Sequence, residues 1–132
     1  MIECMILGDS IAVGLHQQVP RCKSLSKGGW NTWQWNKDYL KQDLTAQTVV
    51  ISLGSNDYKG IRTQEELERL REKVQADRVF WILPAIKPHI QEIVNKIATQ
   101  HGDTVVPITH LQPDKVHPTT QGYKTIKTKV NL

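Results

Sequence analysis

The sequence predicts an α/β fold of three layers, α/β/α, in which helices cover both faces of a parallel five-stranded sheet. Three observations carry this expectation. Short apolar runs rich in β-branched residues alternate with amphipathic stretches along the whole chain, the pattern of repeated βα units. Two of the five runs are marked as sheet edges by their composition. The chain has 132 residues, enough to bury one core but too few for two ordinary domains, so a single domain over 1–132 is expected.

Strands are expected at Cys4 to Leu7, Lys23 to Lys27, Thr48 to Leu53, Val79 to Leu83 and Thr104 to Ile108, where length and β-branching favour strand over buried helix. Thr63 with Glu66 three residues on reads as a capping box, after which Leu67, Leu70 and Val74 repeat on one helical face. Pro88 suits a first helical position, Ile90, Ile93, Val94 and Ile97 form the next stripe, and Gly102 can end that helix. Tyr123, Ile126 and Val130 give the terminal helix its buried face.

The first, third and fourth strands are nearly continuous apolar runs, as strands buried on both faces must be. The second reads Lys-Ser-Leu-Ser-Lys and the fifth carries Pro107, which cannot donate to a central ladder. These two belong at the edges. The order 2-1-3-4-5 follows, a flavodoxin-like sheet whose strand order reverses between strands one and three. Ligands bind outside the carboxyl ends of strands at such a reversal. Gly8-Asp9-Ser10 and Gly54-Ser55-Asn56-Asp57 follow those two strands.

Composition narrows the classes of function. At 39% hydrophobic and 23% charged residues the chain is globular, and no apolar run approaches the roughly 20 residues of a membrane span. The N-terminus lacks the basic region and cleavage site of an export signal. Cys4 and Cys22 fit neither a metal spacing nor a disulfide framework, so they read as reduced structural thiols and a cytoplasmic location is expected. The net charge of +4 is spread over the chain. Lys124, Lys127 and Lys129 fall on the polar side of the last helix, which reads as solvated surface rather than a nucleic-acid interface.

Ser10 stands between a buried strand and a helix, where helix N–H groups and positive potential can receive a developing oxyanion. Asn56, on its turn after the third strand, can aim a side-chain amide at the same charge, a role worth about 2.7–4 kcal/mol in hydrolases that use one. In Asp114-Lys115-Val116-His117-Pro118, the aspartate can accept from one ring nitrogen while the other takes the serine proton. The loop must reach from the fifth strand to the first, about 14 Å across the sheet. Eight or so residues after Ile108 extend roughly 26 Å, so the span is feasible. Taken singly, each of these residues is as well explained by capping, a turn or the surface.

Together they resemble the SGNH (GDSL-like) hydrolases. Gly8-Asp9-Ser10 is similar to that family's nucleophile block, Lys27-Gly28-Gly29-Trp30 to its glycine block and Gly54-Ser55-Asn56-Asp57 to its Gly-x-Asn-Asp block. Asp114 to Pro118 with Gly122-Tyr123 is similar to its Asp-x-x-His-Pro block and following helix. The four blocks occur in the family's order across nearly the whole chain. The resemblance implies the SGNH hydrolase fold and a serine esterase with no metal or organic cofactor. It implies a triad of Ser10, His117 and Asp114. It also implies an oxyanion hole from the Ser10 amide, a glycine amide and the Asn56 side chain. Gly28 and Gly29 both fit the glycine role, and Gly29 is favoured by its place just before the turn into the second helix.

Trp30 beside the glycines is a candidate substrate-binding residue, as acyl-pocket wall or sugar platform. Core packing is the expectation for Trp33 and Trp35, although the odd spacing exposes at least one of the three. His16, His89, His101 and His110 lack partners at metal-ligand spacing. The expected substrate is a small-molecule or saccharide ester with a short acyl group, acetyl above all, since few residues remain to wall a channel. An acyltransferase on the same acyl-enzyme and a non-catalytic carbohydrate-binding module are the alternatives. The oligomeric state is not legible in the sequence.

Overall fold

A computed structural model describes residues 1–132. In chain order it contains β1 (Ile2–Gly8), α1 (Ser10–Gln18), β2 (Lys23–Ser26), α2 (Thr32–Tyr39), β3 (Thr45–Ser52), α3 (Thr63–Lys73), β4 (Gln75–Leu83), α4 (Pro88–His101), β5 (Thr104–Pro107) and α5 (Thr120–Lys129). The five strands form one sheet in the order β2-β1-β3-β4-β5, with every neighbouring pair parallel.

Alternation along the central strands assigns the two faces. Met5, Leu7, Val49, Ile51, Val79 and Trp81 point into one buried cluster with Trp35 of α2, Leu67 and Leu70 of α3, and Ile90, Val94 and Ile97 of α4. Cys4, Ile6, Val50, Phe80, Ile82 and Val106 face the other cluster, closed by Ile11, Ala12 and Leu15 of α1, by Ile126 of α5 and by Val130, which caps that helix. A side chain of this size contributes roughly 1.5–3 kcal/mol when fully removed from water. The two-sided burial is what holds the parallel strands between helical layers.

Pro88 opens α4 and Gly102 ends it in the left-handed conformation, φ +69°, both as the sequence indicates. The capping box expected at Thr63 and Glu66 is absent. The N-cap of α3 is Arg62 and makes no side-chain cap bond. The Thr63 hydroxyl donates instead to Asp57 Oδ2 at 2.6 Å, and Glu66 Oε1 accepts from Asn36 Nδ2 at 2.9 Å and from Arg69 Nη1 at 3.0 Å. Tertiary partners outbid the local cap. A capping box does form in α2, where Asn31 and Gln34 satisfy each other's backbone N–H groups at 2.9 and 3.0 Å.

Two further expectations are corrected. Trp33 is half exposed, with Lys37 Nζ 5.2 Å from its ring centroid, whereas Trp35 is fully buried. The cysteines are not free: Cys4 and Cys22 form a disulfide, with Cα atoms 4.8 Å apart. Strand register is the cause. Met5 pairs with Lys23 in the parallel ladder of β1 and β2, so the residue before each lies beside the other, which no spacing rule reads from sequence. The argument from reduced thiols to a cytoplasmic location therefore falls away, since such bonds persist chiefly in oxidising compartments. No helix is long and apolar enough to cross a membrane.

Candidate active site

At the end of β1, Gly8 passes so close to the Ser52 carbonyl of β3 that a β-carbon would collide with it, and its φ of +148° is one that L side chains rarely adopt. The Asp9 N–H then donates to Ser52 O at 3.0 Å, drawing the strand ends together. Asp9 caps α1, accepting from the Ile11 N–H at 3.0 Å and from the Ser52 hydroxyl at 3.2 Å. Its other oxygen, Oδ2, has no partner in the protein. Burial pushes the Asp9 carboxyl up to about 6, against the opposing pull of these hydrogen bonds.

Ser10 is thereby the first residue of α1, half-buried, in the turn whose backbone N–H groups have no intrahelical acceptor. Its Oγ lies 2.8 Å from Nε2 of His117. On the other side of the ring, His117 Nδ1 lies 2.7 Å from Asp114 Oδ2. A carboxylate only accepts, so in the neutral ring Nδ1 carries the proton and Nε2 turns its lone pair to the serine hydroxyl. Asp114 Oδ1 accepts from the Val116 and His117 N–H groups at 2.9 and 3.0 Å. The His117 and Val116 amides, followed by the ring itself, hold the Asp114 carboxyl down at about 2.

The loop carrying these residues is a narrow finger closed by an antiparallel bridge between Leu111 and Pro118. Gln112 N donates to His117 O at 2.8 Å and Thr119 N to His110 O at 2.7 Å. Gly122 of α5 packs against its base, where a β-carbon would collide with the Thr109 and His110 carbonyls and Pro118. The Tyr123 ring lies against Gly14 of α1 so closely that any side chain there would overlap it, which docks α5 on the helix that begins with Ser10. Burial, with the Asp9 and Asp114 charges, pushes the Tyr123 hydroxyl up to about 12.

Asn56 is half-buried on the turn after β3. One N–H of its amide donates to the Trp30 carbonyl at 3.0 Å, leaving the second for another acceptor. Asp57 is almost completely buried. Its oxygens accept from the Thr32 N–H at 2.9 Å, the Thr32 hydroxyl at 2.7 Å and the Thr63 hydroxyl, tying this turn to the first residues of α2 and α3. Beneath it, Lys87 Nζ donates to the carbonyls of Ser55 at 2.8 Å and Asp57 at 2.6 Å. Thr32 and Lys87 carry no mark in the sequence and Thr63 carries only that of a helix cap, because each meets the turn through tertiary contact rather than spacing.

Gly28 borders the nucleophile: a β-carbon on it would stand 3.8 Å from Ser10 Cβ. Gly29, at φ +79°, has no atom within 4 Å of the corresponding point. Trp30 is half-buried, tilted against Tyr39 with ring centroids 5.8 Å apart, and Lys27 Nζ lies 5.4 Å from its ring centroid. A groove of about 720 Å³ runs beside the Asn56 turn, lined by Tyr58, Ile61, Arg62, Lys87, His89 and Ile93 among others, but by no residue of the serine, histidine and aspartate set.

No protein-family model matches the sequence, and no curated protein matches it. Among solved structures, a "putative acylhydrolase" from Bacteroides fragilis NCTC 9343 shares the fold, with a TM-score of 0.67 and 20% identity over 98% of this chain and 86% of that one. The five-stranded parallel α/β architecture is thus one that a protein described as an acylhydrolase also has.

Proposed function

We propose that this protein is a serine hydrolase of carboxylic esters, with Ser10 as nucleophile, His117 as general base and acid, and Asp114 as the group that orients and steadies the ring. The observation that carries the reading is the unbroken relay from Ser10 Oγ to His117 at 2.8 Å and from His117 to Asp114 at 2.7 Å. A structural serine at a helix start has no need of a histidine fixed in that tautomer, and a pure carbohydrate-binding module would have no use for the relay.

In this reading His117 Nε2 takes the Ser10 proton as Oγ attacks the ester carbonyl carbon. The tetrahedral oxyanion rests on the Ser10 amide, the free N–H of Asn56 and one glycine amide. For that third donor Gly29 is favoured by its place before the turn into α2, and Gly28, which borders Ser10, is the alternative. Collapse breaks the bond to the alcohol oxygen, which leaves with the proton from His117. Water then attacks the acyl-enzyme by the same route, giving the acid and regenerating Ser10.

The decisive experiment is turnover of p-nitrophenyl acetate together with labelling by a serine-reactive fluorophosphonate. Wild type is expected to hydrolyse the ester and to carry the label on Ser10, and folded Ser10→Ala is expected to do neither. Wild-type turnover by folded Ser10→Ala overturns the assignment.

A further inference from the structure

Lys87 combines two features that the relay does not use. It is the residue before Pro88 at the start of α4, yet its backbone is left-handed, φ +64°, a conformation that a long side chain adopts only when its surroundings hold it there. Its side chain also turns back under the β3 loop. There Nζ donates to the carbonyls of Ser55 and Asp57, the two residues flanking Asn56.

We propose that Lys87 is a positioning residue for the oxyanion donor: by gripping the carbonyls on either side of Asn56, it fixes the turn that aims the Asn56 amide. The proposal rests on the esterase reading of the site. The Asn56 side chain is otherwise located by one bond to the Trp30 carbonyl, which restrains its tip but not the backbone beneath it. Asp57 secures the turn through Thr32 and Thr63. Those bonds use the Asp57 side chain, whereas Lys87 takes main-chain carbonyls, so the two clamps hold different parts of the turn. Bonds from an ammonium are also stronger than those between neutral partners.

A preorganised donor loses its value when it can drift, because the misplacement must be corrected during the reaction. Removing Lys87 therefore weakens oxyanion stabilisation without altering the nucleophile. The loss is bounded by what deleting the Asn56 amide itself costs. The left-handed backbone supplies an internal control. Lys87→Gly relieves the conformational strain while deleting the clamp, so comparing its thermal stability and activity with those of Lys87→Met separates the backbone effect from loss of the clamp.

The experiment compares Lys87→Met and Lys87→Gly in the wild-type and Asn56→Ala backgrounds, using p-nitrophenyl acetate kinetics and the ¹⁵N–¹H signals of the Asn56 side-chain amide. Both variants are expected to lower kcat by about ten- to a hundredfold with KM within about twofold. In the Asn56→Ala background they are expected to add little further loss, and the Asn56 amide signals are expected to shift or broaden. An equal loss in both backgrounds, or unchanged kcat and unchanged amide signals, overturns the proposal. If wild type neither turns over the ester nor labels at Ser10, the esterase reading fails, and unchanged Asn56 signals in the Lys87 variants would separately refute the clamp.

Discussion

Asp114 holds His117 twice, taking the ring Nδ1 with one carboxylate oxygen and the backbone N–H of the same residue with the other. The aspartate thus sets both the position of the ring and its tautomer from within one four-residue turn. Side-chain exposures of 36% for His117 and 45% for Asp114 mean that this orientation depends on local geometry rather than on a buried charge.

Asp114→Asn tests that division of labour. The amide oxygen can keep the bonds from Val116 and His117, but its NH₂ then faces Nδ1 and places the ring proton on Nε2, where it opposes the Ser10 hydroxyl. The fold is expected to survive while kcat falls by about 10²–10⁴. Because the wild-type carboxyl titrates only near 2, Asp114 stays ionised at ordinary assay pH. Changes in wild-type activity between pH 4 and 8 are therefore not expected to arise from its titration. Full activity in a folded Asp114→Asn protein would remove the residue from the mechanism.

Asn56→Ala tests the oxyanion donor. In the proposed role its N–H acts on charge present only in the transition state, so kcat is expected to fall by about 10²–10³ while KM changes far less. The bond to the Trp30 carbonyl is lost as well, and thermal denaturation of the variant measures that separate structural cost. A change in KM alone would recast Asn56 as a ground-state binding residue.

Asn56 and Lys87 differ in how far the sequence discloses them, and the contrast extends to the fold. Sheet order was legible because Pro107 and the Lys-Ser-Leu-Ser-Lys run are intolerable at the centre of a parallel sheet, and both do lie in edge strands. Ser10 and Asn56 stood out because they follow the strands where the order reverses. Registry and side-chain reach were not legible. The Cys4–Cys22 bond depends on which residue of β1 faces which residue near β2. Thr63 and Glu66 carry a capping signature, but Asp57 and Asn36 claim them across the fold. Lys87 leaves no local signal, since its left-handed turn is sustained by contacts with residues some 30 positions away.

Asp9 offers a test by pH. Its folded-state carboxyl is raised from 3.8 to about 6, so the folded protein keeps a proton that the unfolded chain releases. The unfolded state then binds fewer protons between about pH 4 and 6, and stability falls as pH rises through that window. Above it the burial penalty is constant, at most on the order of 3 kcal/mol. Asp9→Asn keeps an acceptor for the Ile11 N–H and abolishes the charge. It is expected to flatten the slope of unfolding free energy between pH 4 and 6 and to leave the protein at least as stable as wild type at pH 7. Chemical denaturation at several pH values measures this, and an unchanged slope would show that Asp9 is not its source.

Acyl-chain preference follows from how open the site is. Gly28 and Gly29 are exposed, and Ser10, Asn56 and Trp30 are only half-buried. Neither the groove beside Tyr58 nor the 420 Å³ cleft bordered by Met1 and Lys23 is lined by Ser10. Each methylene of an acyl chain contributes about 0.8 kcal/mol only where it is removed from water, and a long chain needs an enclosed apolar channel to realise that gain. Trp30, with Tyr39 packed on it and Lys27 over its ring, can form one short wall beside the glycines, and a sugar ring could use its face only by displacing Lys27. A series of p-nitrophenyl esters from acetate to decanoate should therefore give the highest kcat/KM at acetate, with little gain from added methylenes. A steady rise of kcat/KM with chain length would mean that a channel forms when substrate binds, and a lipid-directed activity would then replace the short-acyl assignment.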